Sequence, residues 1–125
     1  MRALVIDDSR VMRNMLRRIL EGYGFHVTEA VHGADAIKQL QAMPAPDVAL
    51  VDWNMPEMTG IEFVEQVRED DTYDSMAILM VTTENEAAQM DRALAAGANE
   101  YLMKPFSPEG LKDKLAMLGF YEASA

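Results

Sequence analysis

Short apolar runs alternate with helix-period patterns five times along this chain, and no other feature narrows its fold so far. The runs are Ala3–Ile6, Phe25–Ala30, Val48–Val51, Ala77–Val81 and Tyr101–Met103. Apolar runs separated by helices read as α/β with a parallel sheet, because parallel neighbours need a crossover and the usual crossover is a helix. The first, third and fourth runs are apolar at every position, as strands covered on both faces should be. Phe25–Ala30 alternates instead, with Phe25 and Val27 opposed to His26 and Thr28, which predicts an edge strand. There is no internal repeat, and 125 residues suit one domain with a core of its own. We therefore expect residues 1–125 to form a single domain with no output module.

The intervening stretches carry helix signals. In the first, Val11, Met15 and Ile19 form one row and Met12, Leu16 and Leu20 the next, with Arg10, Arg13, Arg17 and Arg18 on the outer face. Gly22 and Gly24 end it. The second runs from about Gly33 to Ala42 and buries Ile37 and Leu40, and Pro44 and Pro46 then break the chain. Thr59-Gly60-Ile61-Glu62 opens the third in a capping-box pattern, burying Ile61, Val64 and Val67. The fourth extends from about Glu86 to Ala96 and stops at Gly97. The fifth starts at Ser107, with Pro108 in its first turn, and buries Leu111, Leu115 and Leu118.

Charge and composition remove several function classes. A formal net charge of −10 repels nucleic acid and anionic lipid, so neither is an expected partner. The longest unbroken apolar stretch, Met76 to Val81, is too short to cross a bilayer. The only apolar run before Asp7 is Ala3–Ile6, so no secretory signal is expected and the cytoplasm is the expected compartment. With no cysteine there is no disulfide, thiolate zinc site or cysteine nucleophile. His26 and His32 are too few and too isolated to form a metal site.

In open parallel α/β sheets the ligand site lies beyond the carboxyl ends of the strands. That rule gathers Asp7, Asp8, Asp52, Thr82 and Lys104 from four strand ends. Three carboxylates in one crevice, about 5 Å apart at an effective dielectric of about 20, repel by roughly 3 kcal/mol per pair. A lone Asp7-Asp8 pair reads most simply as a helix cap, but Asp52 and Lys104 at the same end turn the balance toward a bound divalent cation. A cation beside an aspartate suits phosphate chemistry: one carboxylate can attack phosphorus to form an acyl phosphate while an ammonium and a hydroxyl hold the remaining oxygens. Asp52, alone at its strand end, is the best nucleophile candidate.

At this point the residues match a family. Val5-Ile6-Asp7-Asp8-Ser9, Val51-Asp52-Trp53-Asn54-Met55-Pro56, Gly60, Met80-Val81-Thr82, and Ala96-Gly97-Ala98-Asn99-Glu100-Tyr101 leading into Lys104-Pro105-Phe106 occur in order and at family spacing. The chain resembles the receiver domain of two-component response regulators over essentially its full length. Within that family it is similar to the single-domain chemotaxis regulators. The resemblance implies a doubly wound (βα)5 flavodoxin-like three-layer sandwich with strand order 2-1-3-4-5, an order already known for this family. It also implies site roles. Asp52 would be the phosphoacceptor. Asp7, Asp8, Asp52 and the Asn54 backbone carbonyl would bind Mg2+, for which Mn2+ can substitute. Lys104 would pair with the phosphoryl group, aimed at the site by a cis Lys104–Pro105 bond, and Thr82 would swing toward it and let Tyr101 turn inward. Asn54 and Glu84 occupy the positions that tune hydrolysis, with identities that imply a short-lived phosphoryl group. Two positions depart from the pattern: Thr83 replaces a common alanine and crowds donor access, and Thr59 replaces a common acidic residue.

The expected function is a phosphorylation-activated switch, not a metabolic enzyme, taking its phosphoryl group from a histidine kinase or phosphotransfer domain. Its target would bind the face made by helix four, strand five and helix five, a flagellar motor component being the first choice. A phosphorelay intermediate or a phosphate sink is the alternative. A Mg2+-dependent phosphohydrolase with an aspartate nucleophile is disfavoured, because Asn54 stands where such enzymes place an acidic proton donor and no cap domain is available. The arginine face of helix one has two readings, a solvated surface or a dock for the phosphodonor. For Tyr101 the switch role is the favoured reading, and ordinary packing at an edge-side strand is the other. The eleven methionines read mostly as core filler, with Met90 and Met117 able to soften a partner surface. A monomer is expected.

Overall fold

The computed structural model describes residues 1–83 and 90–120. Five strands, β1 (Arg2–Ile6), β2 (His26–Ala30), β3 (Val48–Asp52), β4 (Ala77–Thr82) and β5 (Glu100–Met103), alternate with α1 (Arg10–Gly22), α2 (Gly33–Gln41), α3 (Gly60–Arg68), α4 (Met90–Ala96) and α5 (Pro108–Met117). A 3-10 turn, Asp71–Tyr73, leads into β4. All pairings are parallel and the order is β2-β1-β3-β4-β5, so the flavodoxin-like doubly wound sandwich is the fold observed. β2, the alternating run, lies at one edge as its pattern requires.

Alternation along the strands divides the core into two layers. Leu4, Ile6, Ala49, Val51, Ile78 and Met80 face α2, α3 and α4, whereas Ala3, Val5, Val48, Leu50, Leu79, Val81 and Leu102 face α1 and α5. The same parity carries through to the strand ends. Asp52 continues the Val48–Leu50 row toward α1 and α5, and Asp7, one step beyond β1, continues Ala3–Val5. Thr82 continues Ile78–Met80 on the opposite face, the face on which Tyr101 also packs.

The caps follow the local sequence. Thr59 and Glu62 close a full capping box on α3, each side chain accepting from the other's backbone N–H. Ser107 accepts from the Gly110 N–H with Pro108 at the first helical position. Ser9 caps α1 by accepting from the Met12 N–H. Gly22 is the last residue of α1 itself, and it is Gly24, at φ 93°, that takes the left-handed conformation after it.

The orientation of α1 differs from the sequence expectation. Leu16 and Leu20 are buried and Met12 packs against them, but Val11 is 73% exposed and Met15 44%. Arg13 and Arg17 are not a solvated outer face either. Arg13 donates to Glu29 and to the Asp7 carbonyl, and Arg17 donates to Glu29 and to the Val27 carbonyl. Their guanidinium groups hold this face of α1 to Glu29 and to the Asp7 and Val27 carbonyls, which leaves the Val11–Met15 row turned outward. Met90 is core, while Met117 is 66% exposed. The part of helix four expected before Met90 falls outside the described residues.

Candidate functional site

The carboxyl ends of β1, β3 and β5 deliver the predicted side chains to one place. Asp7, Asp8 and Asp52 each offer a carboxylate oxygen, and these oxygens lie within 4.8 Å of one another. The Lys104 ammonium is 3.1 Å from Asp52 Oδ1, to which it donates, and 3.7 Å from Asp7 Oδ2. The Lys104–Pro105 peptide bond is cis. The Lys104 N–H donates to the Thr82 carbonyl, which ties the turn after β5 to the end of β4.

Asp7 and Asp52 are buried, whereas Asp8 is exposed. Burial pushes the Asp52 carboxyl up to about 6, with the neighbouring Asp7 charge adding to the rise and Lys104 opposing it. Asp7 is also raised, chiefly by burial; the Ser9 N–H, which donates to Asp7 Oδ1, acts in the other direction. Asp7 Oδ2 is fully buried and, among the described residues, has no hydrogen-bond partner. An orphaned carboxylate oxygen beside two more carboxylates, with one ammonium to balance them, fits a hard divalent cation that takes oxygen ligands. The acidic cluster is thus a metal-binding group by its chemistry.

Backbone packing brings the elements this close. A Cβ on Gly60 would lie 2.6 Å from the Asp52 carbonyl oxygen and 2.8 Å from Met80 Cε, so only glycine lets the start of α3 close against the end of β3. The Gly60 N–H donates to the Trp53 carbonyl, and the Trp53 N–H to the Val81 carbonyl. Trp53, beside Asp52, is 7% exposed. The Asn54 side chain is exposed.

The other predicted residues lie farther along the sheet. Thr82 is buried at the end of β4, its hydroxyl donating to the exposed Thr83's carbonyl. Tyr101 is half-buried on β5, two register positions back from Thr82, since Met80 pairs with Tyr101 and Thr82 with Met103. Glu84 lies outside the described residues. Sequence reasoning missed Arg13, whose guanidinium holds the Asp7 carbonyl at 2.7 Å. It also missed Arg68, which donates to the carbonyls of Tyr73, Met76 and Gly97 and to Asn99 Oδ1. Both act on backbone carbonyls, which side-chain patterns do not mark. Among the described residues, no helix is long and apolar enough to cross a membrane.

Comparison with known proteins agrees with this geometry. Residues 3–116 match the response regulator receiver domain family. The chain is 43% identical over 119 residues to chemotaxis protein CheY1 of Helicobacter pylori, covering 94% of this chain and 96% of that one. It is 46% identical over 116 residues to a chemotaxis protein CheY homolog of Campylobacter jejuni, covering 92% and 89%. The structure of Vibrio cholerae chemotaxis protein CheY4 superposes with a TM-score of 0.87 at 38% identity, covering 94% of this chain and 97% of that one. With its fold, its acidic cluster and its relatives in agreement, the chain belongs to the response regulator receiver domain family, signalling proteins rather than conventional enzymes.

Proposed function

We propose that this chain, acting as one receiver domain over residues 1–125, is a phosphorylation-dependent switch whose phosphoacceptor is Asp52. The observation that carries the proposal is the convergence of Asp7, Asp8 and Asp52 within 4.8 Å with Lys104 hydrogen-bonded to Asp52. The phosphodonor is a phosphohistidine on a histidine kinase or phosphotransfer domain. An Asp52 oxygen forms the new bond to phosphorus as the P–N bond breaks, and the departing imidazole keeps that electron pair and takes up a proton. In autodephosphorylation a water oxygen bonds to phosphorus, the acyl P–O bond breaks, and Asp52 returns as carboxylate.

Lys104 holds a phosphoryl oxygen through a charge-assisted hydrogen bond, replacing the one it makes to Asp52. Asp7, Asp8, Asp52 and the Asn54 carbonyl would hold Mg2+, or Mn2+ in its place, which when bound neutralises the phosphoryl oxygens. Thr82 reports phosphorylation by turning its hydroxyl toward the phosphoryl group, and Tyr101 then moves inward on the face they share. Asn54 and Glu84 keep the phosphoryl group short-lived.

The donor docks on α1, beside the exposed Val11 and Met15 and the exposed Arg10 and Arg18, where Phe106 and Pro108 complete an apolar groove. The target binds the α4–β5–α5 face. Relatives named as chemotaxis proteins favour a flagellar motor component as that target and the cytoplasm as the compartment.

Labelled acetyl phosphate with Mg2+ tests the chemistry. The switch takes up at most one equivalent of base-labile phosphate, Asp52→Asn takes up none, and the label decays well within hours. Turnover of many equivalents with no accumulated label would indicate a phosphohydrolase, and no reaction a binding module that only kept the fold. Pull-down with beryllofluoride present, against the same bait without it, separates a motor component from a relay or sink partner.

A further inference from the structure

We propose that Lys114 is a positioning residue for Tyr101, its ammonium clamped over the ring across the edge of the sheet by Glu100. The proposal rests on the reading of Tyr101 as the switch side chain. Glu100 and Tyr101 are neighbours on edge strand β5, so their side chains leave on opposite faces of the sheet. Leu102, two positions from Glu100, packs in the α1/α5 layer, whereas Tyr101 packs in the α3/α4 layer. Lys114 belongs to α5 and reaches round edge strand β5 to meet both. Its Nζ is 3.3 Å from Glu100 Oε1 and 4.4 Å from the centre of the Tyr101 ring. The same Glu100 oxygen accepts from the Tyr101 N–H at 3.0 Å.

One carboxylate oxygen thus fixes both the backbone that carries the ring and the cation that lies on it. The Lys114 and Glu100 side chains are 23% and 19% exposed, so both charges are partly shielded from water. A ring that rotates away from this position leaves the ammonium behind and loses the cation–π attraction. Lys114 therefore biases the resting balance of ring orientations, and with it the ease of switching. Nothing in the site chemistry requires this clamp, since Lys114 sits on α5 and touches none of Asp7, Asp8, Asp52 or Lys104.

The test reads Tyr101 side-chain χ1 populations from three-bond couplings in the full-length labelled protein, with and without beryllofluoride and Mg2+. Lys114→Met keeps the apolar stem and removes the cation. It should lower the resting ratio of present to rotated orientation about two- to five-fold. Lys114→Arg should hold that ratio near wild type, and Glu100→Gln should shift it in the same direction as Lys114→Met. A resting ratio in Lys114→Met equal to wild type overturns the clamp, and an unchanged ratio in Glu100→Gln overturns the role of Glu100 in it. The response to beryllofluoride is read separately. If the wild-type ring ignores it while Lys114→Met still shifts the resting ratio, the switch reading fails and the positioning role stands. If the wild-type ring responds and the resting ratio is insensitive to Lys114, the switch stands and the clamp fails.

Discussion

Asp52 is asked to be both buried and charged, and its surroundings are arranged against the charge. Its carboxyl titrates near 6 because it is desolvated first and faces Asp7 second, with Lys104 offsetting part of both. The folded chain therefore binds this proton more tightly than the unfolded chain does. The resulting stability is fully present below about pH 4 and is lost as the pH rises through about 6. At pH 7, without metal, Asp52→Asn should therefore raise the unfolding free energy by about 1–3 kcal/mol in urea titrations. At pH 4 the gain should shrink toward zero. A variant that is less stable than wild type at pH 7 would mean that the Lys104 bond outweighs repulsion and burial. Mg2+ should in turn stabilise the wild type at pH 7 more than at pH 4.5, because its ligands must be deprotonated. Trp53, the single tryptophan, adjoins Asp52 and is 7% exposed, so its emission should follow the same titration. Asp8→Asn should move the Mg2+ midpoint to higher concentration, and emission that ignores Mg2+ would argue against the cluster as its site.

Between elements, one guanidinium ties α3 to the amino ends of β4 and β5, the end of the sheet opposite the site. Arg68 ends α3 and reaches the carbonyls of Tyr73 and Met76 before β4 and of Gly97 before β5, as well as Asn99, whose Oδ1 also accepts from the Ile78 N–H. Arg68→Met should destabilise the fold by about 2–4 kcal/mol in denaturant unfolding, since it removes four hydrogen bonds at once, taking the Arg68 donor from the Met76 and Gly97 carbonyls while the Tyr73 carbonyl and Asn99 Oδ1 keep the Met76 and Ile78 N–H. A loss under 0.5 kcal/mol would mean that water replaces it. The contrast with α1 explains how much was legible in advance. Strand order apart, the alternation of β1 to β5 and the caps at Thr59 and Ser107 could be read directly, because apolar period and capping residues are side-chain properties. Asp7, Asp8, Asp52 and Lys104 could be gathered because the ends of a parallel sheet bring distant strands together. The face of α1 could not, since two adjacent apolar rows compete and the choice was made by Arg13 and Arg17 binding carbonyls of Asp7 and Val27. Gly60 was visible as a motif, but its reason, a carbonyl 2.6 Å from where a Cβ would stand, is a packing fact.

Across the whole molecule, the proposed switch spans three adjacent strands, from Asp52 on β3 through Thr82 on β4 to Tyr101 on β5. Asp52 and Thr82 leave the sheet on opposite faces, so the proposed phosphoryl site lies on the α1/α5 side while the Tyr101 ring packs on the α3/α4 side. Thr82, buried at the end of the strand between them, is placed to link the two faces. If it does, coupling between phosphorylation and target binding is one free energy and must be reciprocal. A target fragment that binds the beryllofluoride-loaded protein more tightly by some factor must raise the affinity for beryllofluoride by that same factor. Thr82→Ala should reduce both factors together, toward one, while Asp52 still accepts phosphate from acetyl phosphate, because Lys104 and the three carboxylates are untouched. Calorimetric titration in both directions checks this. Equal enhancement in wild type and in Thr82→Ala would show that the signal leaves the site by another route. Loss of phosphate uptake in Thr82→Ala would place the hydroxyl in the transfer step itself rather than in its transmission.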